Sequence, residues 1–112
     1  MAEKVIKIGG RNTSFKVDGF TPVKYMEETN NDFMGDFLKF EKAIKGIGNV
    51  DTMAFYRMAY ITAKQSDAGI GSMKQWLSSF DEFPIFDVVA ELMPLLQKNF
   101  MSNKKDKLVR KK

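Results

Sequence analysis

The chain contains no cysteine and no histidine. Without cysteine there is no disulfide framework and no thiolate nucleophile, and the composition fits a reducing compartment. Without histidine the commonest acid–base group and the commonest metal ligand are both missing. Catalysis would have to rest on carboxylates, Lys, Ser or Tyr. No catalytic residue, metal site or cofactor is therefore expected. Proline occurs three times. No uninterrupted apolar run reaches the ~18 residues a membrane helix needs. The N-terminal MAEKVIKIGG has no apolar stretch long enough for a secretory signal, so neither export nor membrane insertion is expected.

Net positive charge is also lacking outside one end. Residues 104–112 hold six Lys/Arg and one Asp, a net +5, whereas the other 103 residues hold twelve Lys/Arg and thirteen Asp/Glu, a net −1. The sequence pI of about 9.3 thus reflects a tail. The near-neutral body is rich in Phe (ten) and Met (eight), side chains that bury large areas and adapt to irregular partners. At 112 residues one domain is expected, over 1–101, with 102–112 a disordered basic tail.

Along the body, residues 4–8 and 13–17 are short and rich in β-formers, with Gly9-Gly10-Arg11-Asn12 between them. This reads as a β-hairpin over 4–17 that must lie on other elements. Helical patterning then covers 21–100. Thr21-Pro22 reads as a cap followed by the first helical position, with Val23 and Met26 facing inward. Asp32 caps a helix whose Phe33, Phe37, Phe40 and Ile44 form one stripe, widened by Met34 and Leu38. Asp51 caps a third helix, apolar almost all round and so expected at the centre of the fold. Ser72-Met73-Lys74-Gln75 is a capping-box pattern for a short helix carrying Trp76, Leu77 and Phe80. The last helix starts at Pro84 and runs to about Phe100, with Pro94 expected to kink it or cost it one bond. The fold class is α+β, mainly α: a short N-terminal hairpin, then four to five helices.

Nothing in this pattern looks catalytic. Glu27-Glu28 and Asp81-Glu82 are adjacent pairs that suit solvated surface or helix starts. The two Gly-Ile-Gly triplets at 46–48 and 69–71 lack the preceding strand and Lys-Ser/Thr ending of a phosphate loop, and read as turns. The last helix is different. Its apolar residues cover more than one face, more than a single small core needs, which favours a partner or self-association.

The order of features resembles the tail assembly chaperones of long-tailed phages and prophages of Gram-positive bacteria. The residues that carry the resemblance are Val5-Ile6-Lys7-Ile8-Gly9-Gly10 with Phe15-Lys16-Val17 for a strand pair, followed by the helix opened by Thr21-Pro22. Then come the aromatic helix from Met53 to Ala63 ending in Lys64-Gln65-Ser66-Asp67, the Trp76–Phe80 segment and the apolar helix through Leu96. It spans about residues 4–100 and rests on order, length and texture rather than on an invariant motif. The resemblance implies a non-enzymatic factor that keeps the long helical tape measure protein soluble until the tail tube forms around it. It also implies action in the bacterial host cytoplasm, absence from the mature virion, and in many members a frameshifted longer form that recruits tail tube protein. Helix-in-groove binding needs apolar, pliable anchors, and Met53, Met58, Phe86, Met93 and Leu96 are of the right types.

The other reading is a small nucleic-acid-binding phage regulator acting through Lys104, Lys105, Lys107, Arg110, Lys111 and Lys112. That tail has no aromatic residue for base stacking, and the body has no basic recognition helix, so nucleic acid is the weaker expectation.

Overall fold

The computed structural model describes residues 2–47 and 50–100. The architecture is α+β, mainly α. Strands β1 (Ala2–Ile8) and β2 (Arg11–Val17) form an antiparallel hairpin, and helices α1 (Thr21–Thr29), α2 (Phe33–Ile44), α3 (Thr52–Ser66), α4 (Met73–Ser78) and α5 (Ile85–Phe100) follow, with a 3-10 turn at Ala68–Ile70. The basic tail expected over 102–112 lies outside the described residues.

The hairpin turn is tighter than the four-residue loop read from the sequence. Ile8 pairs with Arg11 across Gly9-Gly10 alone. Both glycines have positive φ, 59° and 81°, the combination a two-residue type I′ turn demands. Arg11 and Asn12 therefore belong to β2. The register sends Ile6, Ile8, Phe15 and Val17 to the buried face and leaves Val5 on the exposed one.

Three helix starts follow the sequence. The Asp32 carboxylate accepts from Gly35 N at 2.8 Å, and that of Asp51 accepts from Ala54 N at 3.2 Å. Ser72 and Gln75 exchange both bonds of a capping box. Two others differ. Phe20, not Thr21, is the N-cap of α1, and it makes no side-chain cap bond. The Thr21 hydroxyl instead accepts from Asp18 N and donates to Gln65 on α3. This turns a capping residue into a buried link between α1 and α3. Pro84 lies just before α5, its carbonyl accepting from Val88 N. Pro94 sits inside α5, which continues past it to Phe100.

α3 is the centre. It packs against β2, α1, α2, α4, α5 and the 3-10 turn, and eight of its residues from Ala54 to Ala63 are buried. Aromatic rings fill the space around it in edge-on pairs. Trp76 meets Phe15, Phe80 and Phe83. Phe40 meets Phe55 at 4.8 Å, and Phe33 meets Tyr25 and Phe100. The inward faces of the flanking helices are narrower than expected. Val23 and Met26 are exposed while Tyr25 and Thr21 are buried. On α2 Phe33, Phe37 and Phe40 are buried, but Leu38 and Ile44 are not.

One charged group lies inside this apolar packing among the described residues. Asp36 is 3% exposed. Its carboxylate accepts from the Tyr25 hydroxyl and from Arg57, with Nε at 3.1 Å and the terminal nitrogen at 3.0 Å. Lys39 reaches its other oxygen at 3.5 Å. The cluster ties α1, α2 and α3 through one carboxylate. Removing it leaves a guanidinium without its buried partner. Asp36→Ala should therefore cost about 3 kcal/mol, toward the low end for a broken buried pair because the Arg57 side chain keeps 15% exposure. Tyr25→Phe, which keeps the ion pair, should cost about 2 kcal/mol. Urea unfolding of the two variants checks the order; equal or reversed losses would show that the ion pair is not the stronger tie.

The charged groups also set a pH window. Asp18, Glu28 and Asp51 are held below their ordinary values of 3.8, 4.5 and 3.8, chiefly by the Phe20 amide, the Lys64 ammonium and the Lys39 ammonium respectively. Depressed carboxylates stabilise the fold above their unfolded pKa, and that stability is lost as pH falls through the folded values. On the alkaline side, burial and then the Asp36 bond raise Tyr25 above its ordinary 10.0, and Lys39 and Lys64 are raised by their Asp51 and Glu28 partners. Those contributions are present below the unfolded values and lost above them. Thermal melts should show a plateau from about pH 5 to about pH 10 with a fall on both sides. In Asp51→Asn the acid-side fall should be shallower.

Candidate functional site: an apolar groove between two helices

α2 and α5 both pack on α3 and leave a groove between them of about 270 Å³, lined by Glu41, Ile44, Lys45, Ala90, Met93, Pro94 and Gln97. Its origin lies in the pattern of α5. That helix carries two apolar stripes. Ile85, Val88, Val89, Leu92 and Leu96 turn into the core. Phe86, Ala90, Met93, Pro94 and Gln97 recur at spacings of four, three, one and three, so they share a second face. On this face Phe86 is 57% exposed, Met93 is buried at the groove floor, and Ala90 and Pro94 are exposed.

The chemistry of the groove is simple. Ile44, Ala90, Met93 and Pro94 give it an apolar base, and Glu41, Lys45 and Gln97 give it a polar rim. Gln97 donates to Glu41 across the rim at 3.4 Å. Pro94 has no N–H, so the Ala90 carbonyl one turn earlier receives no helical bond from it. Both residues line the groove, which puts one acceptor without its usual helical donor beside an apolar surface. Phe86 extends the same stripe beyond the groove and rests edge-on against Phe55 at 5.2 Å. From Phe86 to Gln97 the stripe spans about 16 Å, three helical turns.

The residues singled out from sequence do not form one site. Met93 lines this groove, and Phe86 lies on its stripe. Met58 and Leu96 have no exposed surface. They are core residues, since the fold needs their volume between α3 and its neighbours, and they drop out of a partner-facing set. Met53 is 50% exposed but lines a different depression, of about 520 Å³, with Arg57, Tyr60 and Lys64 from α3, Glu28 from α1 and Met73 from α4. That second depression is mixed in character. Lys64 bonds Glu28 at 3.1 Å across it, and Arg57 is committed to Asp36. The six basic tail residues lie outside the described residues.

Sequence reasoning missed Ile44 as a surface residue, because Ile44 continues the spacing of the buried Phe37 and Phe40. It also missed Ala90 and Pro94. The available signal was the width of the apolar pattern on α5, which exceeds what one core face requires. Among the described residues no group of three or more carboxylates is placed to hold a metal ion, and no helix is long and apolar enough to cross a membrane.

Core and groove separate in stability measurements. Met58→Ala and Leu96→Ala should each cost about 2–5 kcal/mol. Ile44→Ser and Met53→Ser should stay within about 0.5 kcal/mol of wild type. Denaturant midpoints of the four variants test this, and a large loss at Ile44 would place it in the core.

No protein-family model, no curated protein and no solved structure matches the chain.

Proposed function

We propose that the protein is a non-enzymatic assembly factor that holds an amphipathic helix in the groove between α2 and α5, in the manner of a phage tail assembly chaperone acting on its tape measure protein. The observation that carries this reading is the second apolar stripe of α5, whose Phe86, Ala90 and Pro94 are exposed on the same side as Ile44, with Met93 buried between them. A helix laid in such a groove is held by apolar anchors at successive turns, and a pliable Met adapts to different side chains along a long partner. Directional groups are few and sit at the rim, which suits binding many similar segments over reading one sequence. Many copies along one partner add avidity, so each groove can bind weakly.

The resemblance of residues 4–100 to the tail chaperones supplies the partner, and the groove supplies a means of holding it. Within this proposal the protein works in the bacterial host cytoplasm and is left out of the finished virion. A frameshifted longer form would bring in tail tube protein.

Co-expression with the tape measure protein encoded beside it tests the proposal, scored by size exclusion with light scattering. The expected result is a soluble complex with several copies per tape measure, lost in Ile44→Asp, which puts a charge on the groove base at a position where folding does not depend on burial. An insoluble tape measure beside free wild-type protein overturns the proposal. Salt-dependent nucleic-acid binding that disappears on deleting 104–112 would favour the regulator reading instead.

A further inference from the structure

The hairpin has an open edge whose charge order matches itself. In a type I′ hairpin the residues flanking the turn, Ile8 and Arg11, form a hydrogen-bonded pair, and such pairs alternate along an antiparallel ladder. With the observed register, Ala2, Lys4, Ile6 and Ile8 bond to β2. The N–H and C=O groups of Glu3, Val5 and Lys7 therefore point away from β2, and among the described residues no third strand receives them. The other edge is different. α3 packs against β2, and the Ser14 hydroxyl lies 2.7 Å from that of Ser66 on α3. α5 supports β1 from the face that carries Ile6 and Ile8, with Lys4 to Glu91 at 3.9 Å. The outer face of β1 carries Glu3, Val5 and Lys7, all exposed. Val5 is 59% exposed, the highest value among the exposed large apolar side chains of the described residues.

We propose that β1 pairs antiparallel with β1 of a second copy about a two-fold axis through Val5, making the two hairpins one continuous four-stranded sheet. In this register Val5 faces Val5, and Glu3 of each copy faces Lys7 of the other. All the outward backbone groups of Glu3, Val5 and Lys7 find partners, because the three residues occupy hydrogen-bonding positions in both strands. Opposite charges directly across a strand pair stabilise it, and like charges destabilise it. A shift by two residues sets Glu3 or Lys7 against Val5 and loses the ion pairs. Parallel pairing in register sets Lys7 against Lys7. The edge charges that commonly keep sheet edges apart are here ordered so that one pairing is allowed. A two-fold contact of this kind is isologous and closes on itself, so it stops at a dimer. The inference is independent of the groove and of the proposed partner.

Sedimentation equilibrium of the full chain, up to about 1 mM to cover weak association, tests the pairing. Wild type should show a concentration-dependent dimer. Lys7→Glu sets Glu against Glu and should be monomeric. Glu3→Lys with Lys7→Glu restores opposite charges in the same register and should recover the dimer. Val5→Pro removes an outward N–H that β2 does not use and should be monomeric, with circular dichroism confirming that it folds. A wild type that stays monomeric over the whole range overturns the proposal. So does a dimer that survives Lys7→Glu, or a charge-swapped double variant that remains a monomer.

Discussion

The structure depends on covering α3. A 15-residue helix that is apolar on nearly every side cannot be buried by one neighbour, so the other elements are arranged around it. β2, α1, α2, α4 and α5 each take one sector. Its one partly open stripe, Met53, Arg57, Tyr60 and Lys64, is lined by groups from α1 and α4. The groove follows from the same constraint. α2 and α5 each commit their most apolar face to α3, and they meet each other where Gln97 bonds Glu41 at the groove rim and where Phe33 packs on Phe100. Of the apolar side chains left over on α5, Ala90 and Pro94 stay exposed and Phe86 is covered on one side alone, by Phe55.

The buried carboxylate of Asp36 sits within this arrangement as a tie between helices. Apolar packing is non-directional, and several helices sliding on α3 would bury similar area. A carboxylate that must meet Tyr25 from α1 and Arg57 from α3 together allows far fewer arrangements. Burying it is affordable because it is fully partnered: no buried side-chain nitrogen or oxygen among the described residues lacks a hydrogen bond. Thr21 links α1 to Gln65 of α3 in the same way. The open features, the groove and the β1 edge, lie away from these ties.

Part of the candidate site was legible in the chain. The excess apolar width of α5 can be counted from residues, and it exceeds what the core takes up. What could not be read was which Met and Phe belong to that surface. Met58 and Met53 lie on the same helix, yet one has no exposed surface and the other is 50% exposed. Phe37 and Ile44 share one stripe on α2, yet only Phe37 reaches the core. Helical spacing assigns residues to a face, and the face is buried only as far as the neighbouring element extends over it. α2 runs beyond the cover that its neighbours provide, and Ile44 is at that end.

The sequence by itself determined the features that need only near neighbours. The Gly9-Gly10 turn is one, because its positive φ angles favour glycine. The caps at Asp32, Asp51 and Ser72 are others, because each side chain bonds an amide three residues on. The absence of cysteine and histidine likewise excludes thiolate and imidazole chemistry whatever the fold. Tertiary structure alone decided the long-range outcomes: Thr21 turned from a cap into a link to α3, Val23 and Met26 left in solvent, Asp36 drawn into the core, and Ile44, Ala90, Met93 and Pro94 brought to one groove. Each depends on residues far apart in the chain, and burial is a property of what covers a side chain more than of the side chain itself.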